Sequence, residues 1–436
     1  MEHRVHDPVS PRLDRIAQLA RRRPKMALTT LAHHIDVDLL NEAYRRTRKD
    51  AAAGVDGQTA KVFEANLQTN LQRLLNGLKS GSYKAPPLRR VHIPKPDGTS
   101  RPLGIPTLAD KVLQRAVQMV LEAVYEQDFL DFSYGFRPHR SAHDALKALR
   151  DKVMRMGRGC WVVKVDIERL FDTLDHHHLR TFLDQRVRDG VIRRMIDKWL
   201  KAGVVDQGQL IRSVQGSAQG SVISPILANI YLHEVLDQWF EFVVKPRLGD
   251  NSFMIRYADD VVICFTSVDD ACRVLDVLPK RLERYGLSLN KQKTKMLHFK
   301  PPQDGGGRGA AESFDLLGFT HYWAISRRGY WVVKRKTSKR TFARATKETA
   351  QWCRQNRHLP IGVQHRMLSL KLNGHYAYFG VTGNSKAIGA FYYQVQRSWH
   401  KWLNRRSQSG VMSWERFRRR VLARYALPPP RMVRST

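Results

Sequence analysis

The chain has 436 residues, enough for several domains, and carries 75 Lys and Arg against 40 Asp and Glu, a formal net charge of +35. That basic excess argues against an ordinary small-molecule enzyme and for a polyanionic partner, nucleic acid first. There is no long apolar run and no signal-peptide core, and the cysteines Cys160, Cys264, Cys272 and Cys353 form no CxxC pair; a membrane span, secretion, a disulfide framework and a zinc knuckle are therefore not expected, and a cytoplasmic protein is.

In chain order, the first 85 residues or so read as mainly helical, interrupted by AAAGVDGQT (residues 51–59), whose glycines mark a loop. A basic Pro-Gly segment, IPKPDGTSRPLGIP (residues 93–106), follows. Thr107 and Asp110 then fit a capping box, and Val112, Leu113, Ala116, Val120, Leu121 and Val124 recur at helical spacing, which predicts a helix. Ser141 and Asp144 repeat the cap signature. WVVKVDIERLFD (residues 161–172) predicts a β-branched strand ending in Asp166, then a turn into a helix. In DHHHL (residues 175–179), consecutive helical histidines point in different directions, so a solvated helix face is expected and not a metal site. QGSAQGSVISPILANIYLHEVLD (residues 215–237) predicts a Gly-rich turn leading into a helix.

FMIRYADDVVICF (residues 253–265) sets Asp259 beside Asp260 inside an apolar run. An ionised carboxylate in such a setting costs several kcal/mol or shifts its pKa unless something compensates it, and a bound cation would. The bland alternative is a surface hairpin whose turn is Asp259-Asp260. Asp166 offers a further acid at a strand edge. Two divalent ions about 3.5–4 Å apart can assist phosphoryl transfer from such carboxylates on neighbouring strands, and magnesium suits oxygen ligands. Beyond this, PPQDGGGRG (residues 301–309) reads as a flexible connection, and with no GK[ST] after its glycines it is not a P-loop.

From His321 to the end, 25 Lys and Arg face only Glu348 and Glu415, a local charge of +23 that leaves +12 for the first 320 residues. LNGHYAYFGV (residues 372–381) and FYYQVQRSWHKWLNRR (residues 391–406) mix that charge with aromatics at helical spacing, which predicts a small helical nucleic-acid-binding domain. Taken singly, Tyr376, Phe379, Phe391, Trp399 and Trp402 are better read as bundle core.

In this order, and continued by GLSLNKQKTK (residues 286–295) and FDLLGF (residues 314–319), the motifs resemble the reverse transcriptases encoded by bacterial group II introns and their free-standing relatives, over about Asp36 to Tyr425. The resemblance implies an α+β right-hand polymerase: an N-terminal extension with a template-lid loop (residues 1–85), fingers and palm (residues 86–328) and a basic helical, maturase-like thumb (residues 329–436). It implies Asp166, Asp259 and Asp260 as catalytic and metal-binding carboxylates, with Ile167 at the metal site, and Mg2+ as cofactor, replaceable by Mn2+. Lys95 and Arg101 would hold the triphosphate, Phe171 would gate against a 2′-hydroxyl, and Gln219 would lie beside the nucleotide sugar. Gly54, Asp56, Gly57, Tyr257, Ala258, Asn373, Tyr376 and Tyr378 would contact template or primer.

Two features depart from the family pattern, which has Pro before the loop glutamine and Gly after "QG": this chain has Ala218 and Ser221, and that bears on how Gln219 is placed. The Cys/His-rich endonuclease region of mobile-intron members is also absent from the sequence. The expected activity is RNA-directed DNA polymerisation that also copies DNA, with dNTPs, an RNA template, a DNA or RNA primer and their duplex as partners. The alternative is a maturase or splicing cofactor binding intron RNA. Intact YADD argues against binding alone, and a palm-fold cyclase would need a GGDEF-like hairpin. Intron mobility, DNA repair and phage defence all stay open as roles, and the residues do not set an oligomeric state, a homodimer included.

Overall fold

The computed structural model describes residues 10–94, 100–157, 159–212, 215–249, 251–302, 312–406 and 411–434. Lys95 and most of the 301–309 segment lie outside them. By backbone contacts the chain forms two units, residues 1–145 with 161–296, and residues 146–160 with 297–436. That division differs from one at residue 328, because a hairpin spans that position: Phe319–Ile325 pairs with Trp331–Thr337. Nor do residues 1–85 separate, since the helices Ser10–Arg22 and Val37–Arg46 pack on the helix Leu108–Tyr125 within the first unit.

The first unit holds two sheets. In one, β1 (Leu88–Pro94) and β2 (Ser100–Ile105) are antiparallel, and β1 is joined by β4 (Val204–Asp206), which pairs with β5 (Gln209–Ile211). The other has the order β6-β7-β3-β8, with β3 at Cys160–Glu168, β6 at Ser252–Tyr257, β7 at Asp260–Phe265 and β8 at Ser288–Leu289, which β9 at Lys295–Phe299 follows in the chain. β6, although first in that order, and β7 are buried nearly throughout, as strands covered on both faces are, which explains their largely apolar runs. The helix Leu108–Tyr125 starts on the predicted cap, with the Thr107 hydroxyl accepting from the Asp110 amide at 3.2 Å, and its six predicted core positions are fully buried. Ser141 and Asp144 form a reciprocal box: the Asp144 carboxylate accepts from the Ser141 amide and hydroxyl, and the Asp144 amide donates to the Ser141 hydroxyl.

Buried polar staples hold the N-terminal segment. The Asp189 carboxylate caps its own helix through the Val191 and Ile192 amides (2.9 and 3.0 Å) and accepts from the Leu31 and Ala32 amides at 2.7 and 2.8 Å. Arg186 donates to the carbonyls of Ala20, Arg23 and Met26 and pairs with Asp128. The second unit has an antiparallel sheet, β10 (Phe314–Leu316), β11 (Phe319–Ile325) and β12 (Trp331–Thr337), followed by the helices Lys339–Gln355, Ile361–Phe379 and Ser385–Leu403. Leu368, Leu372, Tyr376, Phe391, Val395 and Trp399 belong to its core, where the Trp399 indole N–H donates to the Gln364 side-chain Oε1 at 2.9 Å. Among the described residues no helix is long and apolar enough to cross a membrane.

Asp189→Ala should lower unfolding stability by about 2–4 kcal/mol, since four amides lose a charged acceptor and two of them belong to a distant segment. A chemical denaturation midpoint that does not move would show that water replaces the carboxylate.

Candidate active site

Antiparallel pairing places Asp166 of β3 directly opposite Asp260 of β7, and Asp260 opposite Tyr257 of β6. Directly opposed residues share a face with Cβ atoms about 4.5–5.5 Å apart, so Tyr257, Asp260 and Asp166 form a row across three strands. The turn between β6 and β7 is Ala258-Asp259, not Asp259-Asp260, because Tyr257 and Asp260 are the last ladder pair. That single-residue difference puts Asp260 on the strand and Asp259 at the exposed tip. Ala258 adopts φ 56°, the left-handed region that favours glycine, while 7% exposed.

A buried network holds that conformation. Arg256 and Asp237 are both fully buried and pair through two bonds, Nε to Oδ1 at 2.7 Å and Nη2 to Oδ2 at 2.5 Å. The Arg256 Nη1 donates to the Asn229 Oδ1 at 2.9 Å and to the Ala258 carbonyl at 3.2 Å. Asn229 Nδ2 donates to the Gly135 carbonyl at 2.7 Å, and Gly135 lies so close to the hairpin that a Cβ there would strike the Ala258 amide nitrogen. Asp237 arrives from a π-type turn, His233–Asp237, that continues the helix Ser224–Leu232.

The acids repel one another. The surrounding protein first, and then the charge of Asp166, hold the Asp259 carboxyl above its ordinary range even though the residue reaches solvent, with Arg101 acting against them. Burial, then Asp259 and, more weakly, Asp166 raise that of Asp260, against Lys164. Lys293 stands 4.0 Å from Asp166. The Asp166 main chain is pinned by the Asn290 amide at 2.8 Å and the Thr294 hydroxyl at 3.3 Å. Among the described residues no three His, Cys, Asp or Glu side chains converge into a preformed metal cage. An open carboxylate edge of this kind fits an ion that keeps water or phosphate in its shell, as magnesium does. The Ile167 side chain is 4% exposed, so only its carbonyl could serve an ion.

The residues expected beside a nucleotide rest on a second network. The Gln219 carbonyl accepts from the Gly104 amide of β2 at 2.6 Å, and Gly220 (φ 103°) would, with a Cβ, meet the Gly104 oxygen at 2.6 Å. Gln114 anchors the other side, its Oε1 accepting from the Ser221 hydroxyl and Val222 amide at 2.8 Å and from the Ile223 amide at 3.2 Å. Its Nε2 donates to Asp110, which also accepts from the Tyr83 hydroxyl and the Trp199 indole. Burial pushes the Asp110 carboxyl up to about 6 against the pull of those donors. The two departures from the family pattern are thus accommodated: Ser221 adds a bond, and the Ala218 carbonyl accepts from the Ser224 hydroxyl at 3.0 Å. Phe171 is half-buried, and its carbonyl accepts from the Ser217 amide at 2.6 Å. His176 is a correction to the solvated-face expectation: it is 7% exposed, and its Nε2 meets the Gly216 carbonyl at 2.7 Å, helping to fix the same loop.

The other candidates fall in several places. Arg101 is exposed on β2. The 51–59 loop is held by Arg89 on the Ala53 carbonyl and Lys111 on the Ala52 carbonyl, Gly54 packs against Pro106 and Thr107, Asp56 accepts from the Gln58 amide, and the Gly57 amide donates to Gly54. In the second unit Asn373 accepts from Arg431 at 3.2 Å, and the Tyr378 hydroxyl donates to the Leu317 carbonyl at 2.9 Å. Tyr376 is a second correction: it is fully buried, with its hydroxyl on the Pro428 carbonyl, so its side chain cannot meet template or primer. Sequence reading missed Arg256, Asp237, Asn229, Gln114 and His176. The visible signal was a charged or amide side chain in an otherwise apolar segment, Arg256 in FMIRY and Asp237 after NIYLHEVL.

Two outcomes follow. A carboxyl whose folded pKa lies above its unfolded value favours the folded state at low pH and opposes it once pH rises through the folded pKa. Asp260→Asn should therefore raise the thermal midpoint of metal-free protein at neutral pH, an effect that fades in acid; a lower midpoint at neutral pH would contradict the repulsion. Arg256→Met strands a buried Asp237 and should cost about 3–5 kcal/mol, with Arg256→Met/Asp237→Leu recovering much of it.

Residues 93–321 match the family model described as "Reverse transcriptase (RNA-dependent DNA polymerase)". YkfC of Escherichia coli (strain K12) is 36% identical over 300 residues, which cover 59% of this chain and 76% of that one. The group II intron-encoded protein LtrA of Lactococcus lactis subsp. cremoris is 35% identical over 230 residues, 52% of this chain and 38% of LtrA. The putative COX1/OXI3 intron 2 protein of Saccharomyces cerevisiae is 25% identical over 417 residues, 83% of this chain and 46% of that protein. The chain thus spans less than half the length of the two intron proteins. Because that family model covers more than half of the chain, the chain belongs to the reverse transcriptase family and to its α+β right-hand polymerase fold class, and its relatives include proteins encoded by group II introns.

Proposed function

We propose that the protein extends a primer 3′-hydroxyl with dNTPs on an RNA template, and also copies DNA, by a two-metal mechanism at Asp166, Asp259 and Asp260. The observation that carries this reading is the register of Asp166 against Asp260 with Asp259 one residue away, on strands fixed from beneath. Magnesium, when bound, would activate the primer hydroxyl and neutralise charge on the departing pyrophosphate. The three carboxylates supply hard oxygen donors from rigid elements. Arg101, whose charge already acts on Asp259, is suited to the triphosphate. Phe171 and Gln219, whose main chains are tied into one loop system, would define the sugar pocket, with Phe171 excluding a 2′-oxygen. The Asn373 and Tyr378 region and the 51–59 loop would bear on duplex and template. A second reading, binding of intron RNA in a maturase-type role, draws on the +23 charge of residues 321–436 and is compatible with the first.

Asp259→Asn should abolish primer extension while leaving template-primer binding within about twofold, since it removes a ligand and little basic surface. Full extension by that variant would defeat the metal assignment. Ser221→Ala removes one bond to Gln114 and should raise the dNTP KM by roughly two- to tenfold with little change in kcat. An unchanged KM would mean that the loop holds Gln219 without the hydroxyl.

A further inference from the structure

Of the three helices that follow the sheet of the second unit, the first and third, Lys339–Gln355 and Ser385–Leu403, pack along each other and leave a groove of about 740 Å³ that, among the described residues, is lined from those two helices. Lys347 and Arg354 line one wall at helical spacing, Gln394, Arg397 and Lys401 the other, and Trp402 closes the end shared with Arg354. The third helix contains no acid, and the only acid of the first, Glu348, is largely exposed and faces Arg344 at 3.9 Å. Three cations crowd one half-buried indole: Arg354, Lys401 and Arg405 stand 5.8, 5.7 and 5.2 Å from the Trp402 ring centre. Like charges gathered this closely repel, and a polyanion lying along the groove would relieve that repulsion while releasing its own counterions.

We propose that this groove binds a single-stranded nucleic-acid segment, with phosphates along Lys347, Arg354, Arg397 and Lys401 and a base against Trp402. Cations from both walls face the furrow, so a flexible single strand could lie between them, whereas a duplex, wider than the about 8–10 Å typical between packed helices, would meet only its rim. An aromatic ring beside a row of cations suits an unstacked base of any sequence. The site is separate from the Asn373 and Tyr378 region, which lies on or beside the second helix, Ile361–Phe379. It goes beyond the polymerase reading, since it requires no catalytic step and would stand if that reading failed.

The test measures binding of full-length protein by fluorescence anisotropy to three probes. These are a single-stranded RNA of about twelve nucleotides, a blunt duplex of the same length, and that duplex with an unpaired template overhang. Arg354→Gln/Arg397→Gln/Lys401→Gln should weaken single-strand binding about tenfold or more and make the log–log salt slope shallower by about 2, leaving the blunt duplex within about twofold. Trp402 packs at the edge of the bundle core, so Trp402→Phe, which keeps a stacking face, is compared with Trp402→Leu. Only the leucine variant should lose affinity, by roughly fivefold or more. A matching loss on the overhang probe identifies the unpaired template as the occupant, and a loss confined to the free strand identifies a separate RNA. Unchanged single-strand affinity and salt slope in a folded triple variant, or an equal loss on the blunt duplex, would overturn the proposal.

Discussion

The buried ion pair between Arg256 and Asp237 is the constraint on which the acid edge of the sheet depends. It lies directly beneath the acid hairpin, and its geometry decides two matters together. The guanidinium fork reaches the Ala258 carbonyl and Asn229, so an alanine stays in a backbone region where glycine would be easier. Such strain costs of order 1–3 kcal/mol and persists only where the surroundings over-determine it. Both carboxylate oxygens of Asp237 engage the same guanidinium, so the positive charge nearest the hairpin from below is already matched. It does not neutralise the acids above. The edge is rigid yet electrostatically unsatisfied, which is the condition for recruiting a divalent cation at the moment of use.

A second consequence concerns the nucleotide side. The loop carrying Gln219 is tied to β2 through Gly104, to the helix Leu108–Tyr125 through Gln114, and to the helix His176–Arg186 through His176. Those attachments converge on a few residues around the glutamine, so the loop is located by the fold more than by its own sequence. This explains why Ala218 and Ser221 need not displace it. Asp110 shows the same economy: its amide donates to the predicted Thr107 cap, while its buried carboxylate collects Tyr83, Trp199 and Gln114 into one support.

Much of this was legible in the sequence where the physics is local. The cap at Thr107 and Asp110, the apolar spacing that follows, the β-branched strand containing Asp166 and the hairpin around Tyr257 to Asp260 all depend on near neighbours. Where placement depends on distant partners, reading failed in specific ways. The alternative of a turn at Asp259-Asp260 could not be settled locally, because only pairing with β3 and β6 shows that Asp260 belongs to the strand. Arg256 and Asp237 read as isolated charges, because nothing in either segment identifies the other. Tyr376 was given to template or primer by resemblance alone, whereas its helical spacing had already pointed to the bundle core in which it lies. The contact boundary between residues 296 and 297 was equally illegible, since nothing local in the β11–β12 hairpin says that it groups with the helices after it.

The central claim is that a carboxylate row, held open by a buried ion pair, is completed by divalent cations. The most direct measurement is the stoichiometry of Mn2+ bound to the full chain in the presence of template-primer and a non-extendable dNTP analogue, followed by electron paramagnetic resonance. The account predicts that the parent takes up about two ions, that Asp166→Asn loses this uptake, and that its template-primer binding is retained. Equal uptake by Asp166→Asn, or no uptake by the parent, would contradict it.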